Sequence, residues 1–112
     1  MKKRCLIVTV LLILSILSLV LVACDPDTEG KTYRVWYHAN GATSGFPPGD
    51  NRLYKSGETA NVLDKNTLLY TDYEFLYWNT KPDGNGNTYH PGDTITIKNS
   101  AIFLHAIWGK LP

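Results

Sequence analysis

A single apolar run from residue 5 to residue 23, broken only by Thr9, Ser15 and Ser18 and preceded by Lys2, Lys3 and Arg4, constrains this chain more than any other feature. Such a run can serve as a secretory leader or cross a bilayer, which takes roughly 20 apolar residues. Either way it stands apart from the remainder, and the 112-residue chain keeps 89 residues from which to build a fold. That suffices for one small domain and not for two. All 3 Trp, 7 Tyr and 3 Phe lie in this remainder. So many aromatic residues supply the apolar surface that disordered segments lack. Without Lys2, Lys3 and Arg4 the count of Lys+Arg falls from 11 to 8 against 10 Asp+Glu, a net charge of −2. With no Lys/Arg cluster either, a nucleic-acid-binding surface is not expected.

The end of the run separates the two readings of the leader. Leu21-Val22-Ala23-Cys24 is followed at once by the polar Asp25-Pro26-Asp27-Thr28-Glu29-Gly30. This resembles the lipobox of bacterial lipoproteins. The resemblance implies that the Cys24 thiol receives a diacylglyceryl group and that a peptidase then cuts before it. Ala23 is small enough for a protease pocket, and Pro26 opposes continuation of a helix. Two or three acyl chains hold a protein stably on a membrane, where one holds it marginally. Residues 1–23 are therefore expected to be a signal peptide, and residues 24–30 the lipidated cysteine with an acidic tether. The expected location is the bacterial cell membrane or envelope surface, reached by export. Cys5 would leave with the leader and Cys24 would carry lipid, so the exported domain would have no disulfide, cysteine-metal site or cysteine nucleophile.

Beyond the tether the patterning is that of short strands. From Thr32 to Ala39, Tyr33, Val35, Tyr37 and Ala39 alternate with Thr32, Arg34, Trp36 and His38, which predicts a strand ending at the turn signal Asn40-Gly41. The segment Gly45-Phe46-Pro47-Pro48-Gly49-Asp50 is too rich in Pro and Gly for regular structure. Further strands are expected over 58–63, 73–79, 94–97 and 101–108, where β-branched and aromatic residues dominate. Residues 64–71 are read as a short helix or a turn, and 81–87 as a loop. No helical period extends over ten residues, and no internal repeat suggests a solenoid.

Four segments, taken in order, carry a family resemblance: Val35-Trp36-Tyr37-His38-Ala39-Asn40-Gly41, Tyr73-Glu74-Phe75-Leu76-Tyr77-Trp78-Asn79-Thr80, Asp83 through Asp93, and Leu104-His105-Ala106-Ile107-Trp108. Together they resemble the Listeria–Bacteroides repeat, also known from the B-repeats of internalin, over residues 31–109. The resemblance implies a small α+β, mostly β fold: a β-grasp-like, ubiquitin-resembling sheet of about four to five short strands with at most one short helix. It also implies a non-catalytic interaction or adhesion-type module, without cofactor, on a lipid-anchored or wall-anchored envelope protein. The chain departs from the family pattern at Asp72 and Tyr77, where glycines are usual, and at His105, where tyrosine is common. Aspartate tolerates a left-handed backbone. The ring of Tyr77 is expected to point outward.

No enzyme is expected. Ser44, Ser56 and Ser100 fall in expected turns without a nucleophile-elbow context, and the acids are dispersed rather than paired. His38, His90 and His105 lie on two strands and a turn at no ligand-like spacing, so no metal site is expected. Asp83-Gly84-Asn85-Gly86-Asn87 begins like a calcium loop, but Thr88 and Thr94 stand where glycine and the bidentate glutamate belong; it reads as a turn. Tyr37, Phe75, Trp78 and Trp108 are assigned to the core. Trp36, Tyr77 and His105 alternate with core-facing neighbours and form the candidate ligand-contact surface. Two readings of that surface stay open, a protein ligand or a glycan ligand as in a carbohydrate-binding module. The competing structural reading is a second sheet face covered by the Pro/Gly-rich loop or by residues 64–71.

Overall fold

A computed structural model describes residues 30–112. The leader over residues 1–23, the lipidation site Cys24 and the acidic part of the tether lie outside the described residues.

Six strands form in chain order: β1 Val35–His38, β2 Thr59–Asn61, β3 Tyr73–Asn79, β4 Thr88–Tyr89, β5 Thr94–Thr96 and β6 Ile102–Lys110. They make a four-stranded sheet in the order β1-β6-β3-β4 and a two-stranded sheet of β2 and β5. β1 and β6 are parallel neighbours, whereas β3 runs antiparallel to both β6 and β4. A parallel pair requires a long crossover, and everything between β1 and β6 supplies it.

Strand patterning behaves as alternation requires. In β1 the residues are buried and exposed by turns, with Val35 and Tyr37 facing in and Trp36 and His38 facing out. Leu104 and Ala106 of β6 and Trp78 of β3 extend that inner face, and Ala60, Val62, Ile95, Ile97, Tyr54 and Leu68 cover it. Phe75 and Trp78 cannot both face inward on a regular strand of period two. A register shift between Phe75 and Tyr77 resolves this. At such a bulge two residues oppose one on the partner strand, so Leu76 and Tyr77 both turn from the core and Trp78 returns to it.

Trp78 is the pivot of the packing. It is fully buried, meets Tyr37 edge-on at 4.8 Å and Phe75 at 5.1 Å, and donates its indole N–H to the Leu63 carbonyl at 2.8 Å. The Leu63 N–H in turn donates to the Tyr37 hydroxyl oxygen at 3.0 Å. Both polar groups of one Leu63 residue thus fasten the crossover to the sheet. Burial pushes the Tyr37 phenol above its ordinary pKa. Tyr54, also buried, donates to Asp50 Oδ2 at 2.7 Å, and burial together with that carboxylate pushes its phenol up to about 12.

The described residues contain no helix, so the fold is all-β, not α+β. Residues 64–71 form turns around a single anchoring side chain, the fully buried Leu68. Asn66 is left-handed with φ 61°, which interrupts a helix, and Leu69 is committed to an antiparallel bridge with Ser44. The first strand is likewise shorter than its pattern. Tyr33 exchanges backbone hydrogen bonds with Tyr54 instead of β6, at 2.7 and 2.9 Å, and Asn40 and Gly41 turn at positive φ. Asp72 adopts φ 70°, the conformation that glycine would otherwise supply there.

Candidate functional site

The face of the four-stranded sheet opposite the core carries the distinctive chemistry. Parallel register sets Trp36 beside Phe103 and His38 beside His105. The His38 ring stacks on His105 at 4.8 Å with 16° between planes, and on Phe103 at 5.9 Å with 25°. The Arg34 guanidinium lies 5.7 Å from the Trp36 ring centroid, a cation–π distance. Trp36 and Phe103 remain 46% and 48% exposed, large values for side chains of that size within strands. On β3, Tyr77 is half-buried and meets the His90 ring edge-on at 5.7 Å. His90 lies beside Asp93, whose carboxylate also accepts the His90 backbone N–H at 2.7 Å.

Of the three residues singled out in the sequence, Trp36 and His105 share one cluster, and Tyr77 sits toward the β3–β4 side of the same face. Sequence reasoning missed Arg34, His38 and Phe103 as parts of it. Alternation was the available signal, since 34, 36 and 38 share a face, as do 103 and 105. The pairing of His38 with His105 corrects the view that the histidines are scattered; only His90 stands apart. Even so, no three His, Cys, Asp or Glu among the described residues lie close enough to share a metal ion.

The outer face stays open at Trp36 and Phe103, while Leu68 of residues 64–71 packs in the core. The Pro/Gly-rich segment follows Leu68, with Phe46 bonded through its N–H to Thr67 Oγ1 at 2.9 Å. The loop 80–87 covers one end instead. A Cβ on Gly84 would lie 3.7 Å from Ile107. Asn79, fully buried, holds that loop: its Oδ1 accepts the N–H of Lys81 at 2.9 Å and of Gly86 at 2.8 Å. Its Nδ2 lies within 3.1 to 3.2 Å of the carbonyls of Gly84 and Gly86 and of Thr88 Oγ1. Gly86 has no room for a side chain, since a Cβ would fall 2.2 Å from Thr80 Oγ1. Asp83 accepts from the Asn85 N–H at 2.9 Å, the bond of an Asx turn. Asn79→Ala is expected to lower stability by about 2 to 3 kcal/mol, because several buried partners lose their bonds at once. Urea denaturation of wild type and variant checks this.

His105 has a pKa below its ordinary 6.5, first because burial disfavours the charged form and second because His38 repels it. A depressed histidine keeps its full contribution to stability above the unfolded-state value, where it is neutral in both states. As pH falls from about 6.5 toward the lower folded value, the unfolded chain binds the proton first and stability drops. The urea midpoint is therefore expected to fall between about pH 7.5 and pH 5, and the decline should be shallower in His105→Gln.

Fold and face together define a small all-β module that presents a stacked aromatic and cationic sheet surface. The chain belongs to the Listeria-Bacteroides repeat domain family, whose model matches residues 33–107. Among curated relatives, a protein of Evansella cellulosilytica whose name describes a Gly-rich membrane protein is 39% identical over 77 residues, covering 68% of this chain and 9% of the relative. A second membrane protein of the same organism is 34% identical over 80 residues, covering 71% of this chain and 12% of the relative. The chain thus spans only a small part of both. No solved structure matches it.

Proposed function

We propose that this is a lipid-anchored, non-catalytic interaction module of the bacterial cell envelope, which binds a protein partner through the outer face around Trp36, His38, Phe103 and His105. The observation that carries the choice of partner is ring orientation. A sugar stacks on a free aromatic face. Here His38 is stacked against both Phe103 and His105, and one face of Trp36 lies under Arg34. The surface offers ring edges and hydrogen-bond donors, which suit a protein better than a polysaccharide. The parallel neighbours β1 and β6, joined by one long crossover, agree with a grasp-like arrangement in which packed turns replace the helix. Anchoring draws support from the lipobox-like Leu21-Val22-Ala23-Cys24 and from relatives described as membrane proteins.

Two experiments bear on this reading. Cys24→Ser should leave a longer, unacylated precursor in the membrane fraction; maturation to the wild-type mass would rule out the lipid anchor. The full chain in neutral detergent should give no glycan-array signal that depends on Trp36. A specific signal lost in Trp36→Ala would transfer the face to carbohydrate binding.

A further inference from the structure

The outer positions of β1 and the adjoining half of β6 are Trp36, His38, Phe103 and His105, and Arg34 directly precedes β1, its carbonyl accepting the Ile102 N–H. None is acidic. Arg and Trp side chains are hydrogen-bond donors only, and a neutral imidazole keeps one donor. Within the described residues neither the Arg34 guanidinium nor the Trp36 indole makes a hydrogen bond or an ion pair, in contrast to Trp78 and Trp108, whose indoles donate to the Leu63 and Ala39 carbonyls. Among the described residues, the carboxylates placed by strand register or hydrogen bonding on this side belong to other strands or loops. Glu74 lies opposite Gly109 near the far end of β6, and Asp93 is engaged by His90. Exposed donors interleaved with apolar rings, with no carboxylate among these five residues, suit a partner that brings acceptors.

Spacing narrows the partner further. Arg34, immediately before β1 and still bonded to β6 through its carbonyl, and His38 are four residues apart, about 13 Å at about 3.3 Å per residue of extended chain. Trp36, with Phe103 beside it, occupies the midpoint. An extended peptide laid along β1 repeats its side chains with the same period. Two carboxylates four residues apart would therefore meet Arg34 and the His38–His105 pair, while an apolar side chain between them would meet Trp36 and Phe103.

From this register we infer that the face binds an extended acidic segment of a partner protein with the pattern acid, any residue, apolar, any residue, acid. The inference rests on the protein-interaction reading above and adds the chemistry of the partner. Carboxylate contacts to guanidinium and imidazole N–H groups are charge-assisted and orient the segment, and the apolar residue fixes its register.

The test uses the full chain in neutral detergent micelles and a fluorescent, end-capped peptide of that pattern, with glutamate as the acid and leucine as the apolar residue. Saturable binding is expected, weakened about tenfold by Arg34→Gln and by the double change His38→Gln with His105→Gln. Lys98→Gln, on an exposed residue outside this face, should leave it unchanged. Raising salt from about 50 mM to about 500 mM should weaken binding as screening increases, a readout that needs no variant. Equal binding of a lysine-for-glutamate peptide, equal loss in Lys98→Gln, or tighter capture of inorganic polyphosphate than of the peptide would each overturn the inference. Protein crosslinks at this face on cells, combined with no binding of the acidic peptide, would overturn the acidic segment while leaving the interaction reading intact.

Discussion

Trp78→Ala is expected to lower the unfolding free energy by about 3 to 5 kcal/mol, the range for large aromatic truncations in cores. Small domains have total stabilities near the lower end of about 5 to 15 kcal/mol, so the variant should be largely unfolded near physiological temperature. Two losses combine. The ring leaves a cavity between Tyr37 and Phe75, which it now contacts edge-on. The Leu63 carbonyl also loses its indole donor, which loosens the crossover from the sheet. Trp78→Phe separates the two effects: it keeps most of the volume and should recover more than half of the loss. Urea midpoints of the three proteins, with ellipticity as the signal, give the comparison, and a loss below about 1 kcal/mol in Trp78→Ala would mean that the core face is wrongly assigned.

The second large effect is expected at a backbone contact instead of a side chain. Gly45 has φ 86°, and a Cβ there would fall 1.9 Å from the Thr67 carbonyl oxygen and 2.9 Å from the Leu68 Cα. The obstacle is main chain and cannot rotate away. Nearby, Leu69 and Ser44 exchange backbone bonds at 3.0 and 3.1 Å, and Leu68 fills the core. Gly45→Ala must push these two segments apart, adding overpacking to the strain of a left-handed alanine, at least about 3 kcal/mol together. Gly49→Ala, with no atom within 4 Å of the new Cβ and no positive φ, serves as the control and should change stability by less than about 0.5 kcal/mol.

What could be read from the sequence divides along the range of the interactions involved. β3 appears with the bounds its composition suggests, and β1 and β6 alternate as their residues require, because period-two burial is a local property. Asp72 takes the left-handed backbone that its short polar side chain tolerates. Residues 64–71 were ambiguous because Leu68 and Leu69 suit a helix as well as a turn. The bridge of Leu69 to Ser44 decides it, and that partner lies far off in sequence. The site was legible in the same proportion. Trp36 and His105 could be placed on outward faces, but the pairing of His38 with His105 depends on β1 and β6 being parallel neighbours in a particular register, for which no local pattern exists. Asn79 reads only as the last residue of a strand. Its burial follows only from the loop that closes over the sheet.

The proposed role turns on one contact, that of the Trp36, His38, Phe103 and His105 face with a protein partner on the cell. The most direct test is a photoreactive phenylalanine analogue at position 103, with a second chain carrying it at position 98 as control, expressed at native level and irradiated on intact cells. Phe103 is nearly half exposed, so the replacement should leave folding unchanged. One discrete crosslinked protein is expected from position 103, absent from position 98 and lost when Trp36→Ala is added. Identical crosslinks from both positions, or none from 103 in chains that reach the envelope folded, would contradict it.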